Sequence, residues 1–184
     1  MHVTFVTSNP HKYREVREIL RPFGLETAWL RKDLPEPQAS DLREVVRAKL
    51  QHVPKRRTVY LVEDSGIFLA GLSGFPGVYS KYVYDSIGLE GILRLLEGKR
   101  RAAVFRTVAG VRIGPRSWTV EGRITGTIAS RPRGTNGFGY DPLFIPSGSA
   151  KTYAEMSRQQ KAQTSHRARA VRSAARRLLS LAAG

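Results

Sequence analysis

Hydrophobic positions along this chain recur with two periods, one of strands and one of helices. Residues 2–7, His-Val-Thr-Phe-Val-Thr, are a short β-branched and aromatic run, the pattern of a first strand. Tyr13, Val16, Ile19, Leu20 and Phe23 then repeat at helical spacing up to Gly24, with Asn9 placed to cap the helix and Pro10 at its first position. Glu26 to Leu30 predicts a second strand. Residues 40–52 predict a helix with Leu42, Val45, Val46 and Leu50 on one side, and Lys49 on that helix has no assignable orientation. Thr58 to Val62 is a continuous apolar run, which predicts a strand buried on both faces of an α/β sheet.

Beyond it the punctuation changes. Residues 71–81, rich in Gly and Pro, predict a loop over one face, and residues 86–97 an amphipathic helix closing at Gly98. Ala102 to Ile113 and Trp118 to Ala129 predict a long hairpin around Gly114-Pro115-Arg116-Ser117. Leu143 to Ile145 is a short apolar run, Tyr153 to Met156 opens a helical region, and Ser165 is placed to cap a last helix whose apolar stripe is Ala168, Val171, Ala175, Leu178, Leu179 and Ala182.

At 184 residues this is one domain, with room for two lobes within it. No run of about 18 apolar residues occurs, and the amino terminus reads as a strand, so the expectation is a soluble cytoplasmic protein without membrane insertion. The chain has no cysteine, which excludes disulfides, thiolate metal sites and a cysteine nucleophile. Its four histidines show no zinc-type spacing, so any metal should be a hard cation held by carboxylate oxygen. The 31 Lys and Arg against 15 Asp and Glu give a net charge of +16, a field that attracts phosphate in any form.

Candidate chemistry collects where strands end. The run Thr58 to Val62 stops on Glu63-Asp64 before Ser65-Gly66, read as a turn, and in open α/β sheets ligands bind outside the carboxyl ends of strands. Neighbouring strand residues face opposite ways, so one carboxylate meets a given ligand; Asp64, beside the turn, is the choice, with Glu63 in support. The pair could equally cap a loop. Ser8 to Lys12 carries the first strand into the first helix, where unpaired backbone N–H groups and the helix dipole make a phosphate seat. Lys12 is misplaced at that end unless an anion compensates it, although an ordinary capped helix with a solvated lysine fits as well. Pro35 and Pro37 hold the Glu36 carboxylate on a stiff loop. In residues 133–142 glycines flank Phe138 and Tyr140, a pattern that admits a flat ligand or a structural turn. His166 and Arg167 open the last helix, again at an anion-favouring end.

Taken together these stretches resemble the inosine triphosphate pyrophosphatases, also called dITP/XTP diphosphatases. The matching motifs run in order over nearly the whole chain: Thr7-Ser8-Asn9-Pro10-His11-Lys12 with Glu15, Leu34-Pro35-Glu36, Glu63-Asp64-Ser65-Gly66, Gly74-Phe75-Pro76-Gly77-Val78-Tyr79-Ser80, Gly137-Phe138-Gly139-Tyr140-Asp141-Pro142, and Lys161 followed by Ser165-His166-Arg167. The resemblance implies a two-lobed α/β fold, a long mixed central sheet flanked by helices with a nucleotide cleft between the lobes, and commonly a homodimer. It implies Mg²⁺-dependent hydrolysis of ITP, dITP and XTP to the monophosphate and pyrophosphate. By the same resemblance Thr7, Ser8, Asn9, Pro10, His11 and Lys12 would hold the triphosphate. Glu36 and Asp64 would bind the metal, Asp64 would also orient or deprotonate water, and Ser65 and Lys161 would contact phosphate. Phe138, Gly139, Tyr140 and Asp141, with His166 and Arg167, would embrace the base. Gln160 stands where relatives commonly carry an acid, which leaves the partner of Lys161 open.

Two other readings compete: a nucleic-acid-binding module driven by the charge, and a nucleotide sensor without turnover. A pure binding module has no use for Glu63-Asp64 at a sheet edge, since carboxylates repel phosphates unless a metal intervenes, so nucleic acid is not required by this reading.

Overall fold

A computed structural model describes residues 1–183. Its centre is an open, mixed seven-stranded sheet flanked by helices, with strand order β2-β1-β3-β5-β6-β7 and β4 paired to β3. The strands are β1 (His2–Val6), β2 (Glu26–Leu30), β3 (Val59–Leu69), β4 (Pro76–Gly77), β5 (Ala102–Ile113), β6 (Arg116–Ile128) and β7 (Phe144–Pro146). β1 runs parallel to both β2 and β3, whereas β4 on β3 and β7 on β6 are antiparallel. The chain divides into two compact units: Met1–Asp64 with Thr107–Gly122 and His166–Gly184, and Ser65–Arg106 with Arg123–Ser165.

In the first unit α1 (Pro10–Leu20), α2 (Leu42–Gln51) and α5 (His166–Ala183) bury the stripes read from the sequence. Val16, Ile19, Leu20, Leu42, Val45, Val46, Leu50, Ala168, Val171, Ala175 and Leu178 are buried. Leu179 is only half-buried and Ala182 is exposed, because the stripe of α5 runs past the end of what it covers. Gly122 of β6 shows how closely α5 approaches: a Cβ there would strike the His166 carbonyl oxygen and the Ala170 nitrogen. Only glycine lets the helix mouth lie on the strand, which fixes where Arg167 begins.

The second unit closes around Ile67, Leu69, Phe105, Ile124, Leu143, Phe144 and Tyr153. Several expectations are corrected here. Ser65-Gly66 is no turn: β3 runs on through Leu69, because the carboxylates before it are neutralised in place and Ile67 and Leu69 resume a buried alternation. Residues 71–81 are more than a loop, containing β4 and, after a cis Phe75-Pro76 bond, the start of α3 (Ser80–Leu95). The helix expected from residue 86 therefore begins earlier, and it is broken at Gly88, whose φ of 63° a side chain would resist. The hairpin turn shrinks to Gly114-Pro115. Met156 follows a 3₁₀ turn, Tyr153–Glu155, and α4 (Arg158–Thr164) then starts on a capping box made by Ser157 and Gln160. No helix among the described residues is long and apolar enough to cross a membrane.

Candidate active site

The first helix is capped as the sequence predicts, and the capping changes the expected phosphate seat. The Asn9 side chain accepts from His11 N–H (2.8 Å) and Lys12 N–H (3.2 Å), and Thr7 Oγ1 accepts from Asn9 N–H (3.1 Å). The donors expected to be unpaired are thus taken, since a β-region asparagine before proline aims its oxygen at them. What the helix mouth offers an anion is its dipole and the charge of Lys12. Ser8 is half-buried, and Pro10 and His11 are exposed.

Lys12 is compensated within the protein. Its Nζ lies 2.6 Å from Glu63 Oε1. The other Glu63 oxygen faces Arg167 Nε at 3.3 Å, and Arg167 Nη1 lies 2.5 Å from Glu15 Oε2. The chain Lys12–Glu63–Arg167–Glu15 alternates in sign and links α1, β3 and α5. Glu63 and Arg167 are almost wholly buried, so each would be costly without the others. Sequence reasoning paired none of them. The signal it had was the packing of α1 on α5, implied by their matched apolar stripes.

Strand alternation sends Asp64 the other way, to α2. Lys49 Nζ lies 2.7 Å from Asp64 Oδ1 and 2.7 Å from Glu36 Oε1, and also donates to the Glu63 carbonyl at 3.2 Å. One buried ammonium therefore joins the two carboxylates assigned to metal, whose oxygens can lie no further apart than those two contacts laid end to end. Burial would lower the Lys49 pKa, but the Asp64 and Glu36 carboxylates outweigh it and raise it. Burial pushes the Asp64 carboxyl above its ordinary value, against the pull of Lys49 and Lys12. An ammonium shared by two carboxylates stays charged, and we take the pair as an ion pair.

Of the other sequence-derived residues, Ser65, Phe138, Gly139, Tyr140, Asp141 and Lys161 belong to the second unit and His166 to the first. The Asp141 carboxylate is buried, accepts Phe138 N–H at 2.8 Å and pairs with Lys161 Nζ at 2.5 Å, which supplies the lysine partner that Gln160 left open. Lys161 also lies 5.0 Å from the centre of the Phe138 ring and 5.5 Å from that of Tyr153. The Tyr140 hydroxyl donates to the Ser80 carbonyl (2.8 Å), while Ser80 Oγ donates to Gly77 O (2.6 Å) and accepts from Ile67 N–H (2.8 Å). Burial, with Asp85 nearby, raises the Tyr140 pKa and keeps that hydroxyl a donor. Tyr140 and Asp141 thus hold the glycine-rich loop, and Phe138 and Gly139 form its half-exposed part. Ser65, on β3, is half-buried, and His166 is buried at the mouth of α5.

An open mixed α/β sheet with adjacent buried carboxylates on β3, each answered by a lysine or arginine from a flanking helix, defines an α/β protein with a charged core. The chain belongs to the Ham1 family, which matches residues 3–177. It is 47% identical over 174 residues to a dITP/XTP pyrophosphatase of Pyrococcus horikoshii, covering 94% of each chain. It is 45% identical to that of Thermococcus kodakarensis, again over 94% of each. Among solved structures, a Ham1 protein of Coxiella burnetii superposes with a TM-score of 0.82 at 28% identity, covering 98% of this chain and 99% of that one.

Proposed function

We propose that this protein hydrolyses dITP, ITP and XTP to the monophosphate and pyrophosphate, clearing non-standard purine nucleotides from the pool. The observation that carries it is the meeting of Glu36 and Asp64 on Lys49, in a chain related over nearly all its length to dITP/XTP pyrophosphatases.

The donor set suits Mg²⁺. Around Lys12, Lys49 and Arg167 stand four carboxylates, Glu15, Glu36, Glu63 and Asp64, an excess of negative charge that a hard cation would balance. Among the described residues no group of three or more His, Cys, Asp or Glu forms a cage, which fits an ion that commonly takes one or two carboxylates and completes its shell with phosphate and water. Glu36 and Asp64 would hold it. When bound, the ion supplies charge neutralisation on the triphosphate and a polarised water.

The chain's own groups do the rest. Lys12 and the α1 dipole neutralise phosphate oxygens, Thr7 and Asn9 fix the loop that presents them, and Lys161 and Ser65 add phosphate contacts. Asp64, raised by burial, accepts the proton of the attacking water. Arg167 positions Glu63, and through it Lys12. The 6-oxo group of hypoxanthine or xanthine accepts where adenine would donate, so a donor from Arg167 or the 138–141 backbone favours the former by roughly 1 to 3 kcal/mol per mismatched group. His166 and the Phe138 ring complete the base contacts. We further propose a cytoplasmic homodimer. Pyrophosphate release with Mg²⁺ across ITP, XTP, dITP, GTP and ATP tests the activity: release from ITP far faster than from ATP supports it, and equal rates or none defeat it.

A further inference from the structure

The positive charge of this chain is segregated. Residues 45–62, 98–120 and 156–184 contain no Asp or Glu. Within the first unit parts of all three stretches converge. Gly114 N–H donates to the Arg56 carbonyl at 2.7 Å, which sets the β5–β6 turn and Arg116 against Lys55-Arg56-Arg57. Arg177 of α5 lies over the Trp118 ring, 5.1 Å from its centre, two residues beyond Arg116. Lys55, Arg56, Arg57, Arg116 and Arg177 are all exposed, and none of the five has an ion-pair partner among the described residues. Glu121, the nearest carboxylate along β6, is occupied by Arg43 at 3.0 Å. Val59 to Asp64 of β3, roughly 17 Å of extended strand, lies between this surface and Asp64, so the surface is distinct from the candidate active site.

We propose that this surface binds the phosphate backbone of duplex nucleic acid without sequence preference. Four of its five cations are arginines, whose planar forks match phosphate oxygens. Its one aromatic ring, Trp118, is half-buried under Arg177, an arrangement poorer for stacking on unpaired bases than an open ring. A duplex carries one charge per roughly 1.7 Å of axis and releases counterions when cations approach it. The role is additional to nucleotide hydrolysis and places the enzyme where triphosphates are polymerised.

The test is fluorescence anisotropy of the full chain with a mixed-sequence 24-base-pair duplex between 50 and 200 mM salt. If all five cations engage, the affinity falls about 500-fold over that range. K55Q/R56Q/R57Q/R116Q should bind at least about tenfold more weakly at 100 mM salt and lose about 3.6 units of the log–log slope, with kcat for pyrophosphate release from ITP unchanged. A matched variant, K99Q/R100Q/R131Q/R158Q, removes the same charge from exposed positions of the second unit and should keep the slope within about one unit of the wild type. R116Q alone, the mildest change, should lower the slope by about one. Equal losses in the two quadruple variants would reduce the effect to net charge and overturn the proposal. A wild-type slope shallower than about −2, or binding to phosphatidylglycerol vesicles without binding to the duplex, would overturn it too.

Discussion

Lys49 occupies a helix position that the packing reserves for an apolar side chain. It stands seven residues after Leu42, four after Val45 and three after Val46, and the structure puts it on the buried stripe of α2 with them, an orientation left open by the sequence. A lysine there requires a carboxylate, and β3 provides Asp64. That pairing could be read from the sequence once the stripe is drawn through position 49, whereas the contact of Arg167 with Glu15 joins residues 152 apart and depends on how α5 meets α1. Asp64→Asn keeps an acceptor for Lys49 but removes the charge and, in the proposed mechanism, the base. Turnover of ITP should fall at least about 100-fold with the melting temperature within a few degrees of wild type, and retention of most activity would remove Asp64 from its role. Lys12→Ala leaves Glu63 its arginine but deprives the triphosphate of a cation, so KM for ITP should rise about tenfold or more while kcat changes less. Arg167→Met removes the cation that joins Glu63 to Glu15 while Lys12 stays on Glu63, and urea unfolding should show a loss of up to about 3 kcal/mol.

Helix capping and strand length were legible to different degrees for one reason. Caps are local, and Asn9-Pro10 announces a helix start that the structure carries, whereas the capping box of Ser157 and Gln160 is first seen in the structure. The end of β3 is not local: Glu63-Asp64-Ser65-Gly66 has the composition of a turn, and only cations arriving from α1, α2 and α5 allow it to stay in the sheet. The helical start expected at Tyr153 is a 3₁₀ turn, Tyr153–Glu155, closed by a capping box between Thr152 and Glu155. The Thr152 backbone N–H, with Arg133 nearby, holds the Glu155 carboxyl below its ordinary 4.5. Because the folded value is depressed, this contact contributes stability above pH 4.5 and loses it as pH falls through the folded value. Comparing Glu155→Gln with wild type by denaturant midpoint should therefore show a gap at pH 7 that narrows below about pH 4.5; a gap that stays constant to pH 3 would assign the effect to something other than this charge.

At the scale of the whole molecule, the +16 charge and the acidic candidate site pull in different directions. A triphosphate is drawn by the general field yet must enter a site where four carboxylates meet three cations, so long-range attraction should govern arrival and local pairing should govern chemistry. These two contributions respond differently to salt. Exposed charges are screened beyond about 8 Å at physiological ionic strength, while Lys49, Asp64, Glu63 and Arg167 are buried and are screened far less. Raising salt from 50 to 500 mM at constant free Mg²⁺ should then lower kcat/KM for ITP severalfold and leave kcat nearly unchanged. Neutralising exposed arginines far from Asp64 should flatten the dependence of kcat/KM without touching kcat. If kcat itself fell in parallel with kcat/KM, the salt would be reaching the buried pairs, and the separation between a steering surface and a shielded reaction centre would be lost.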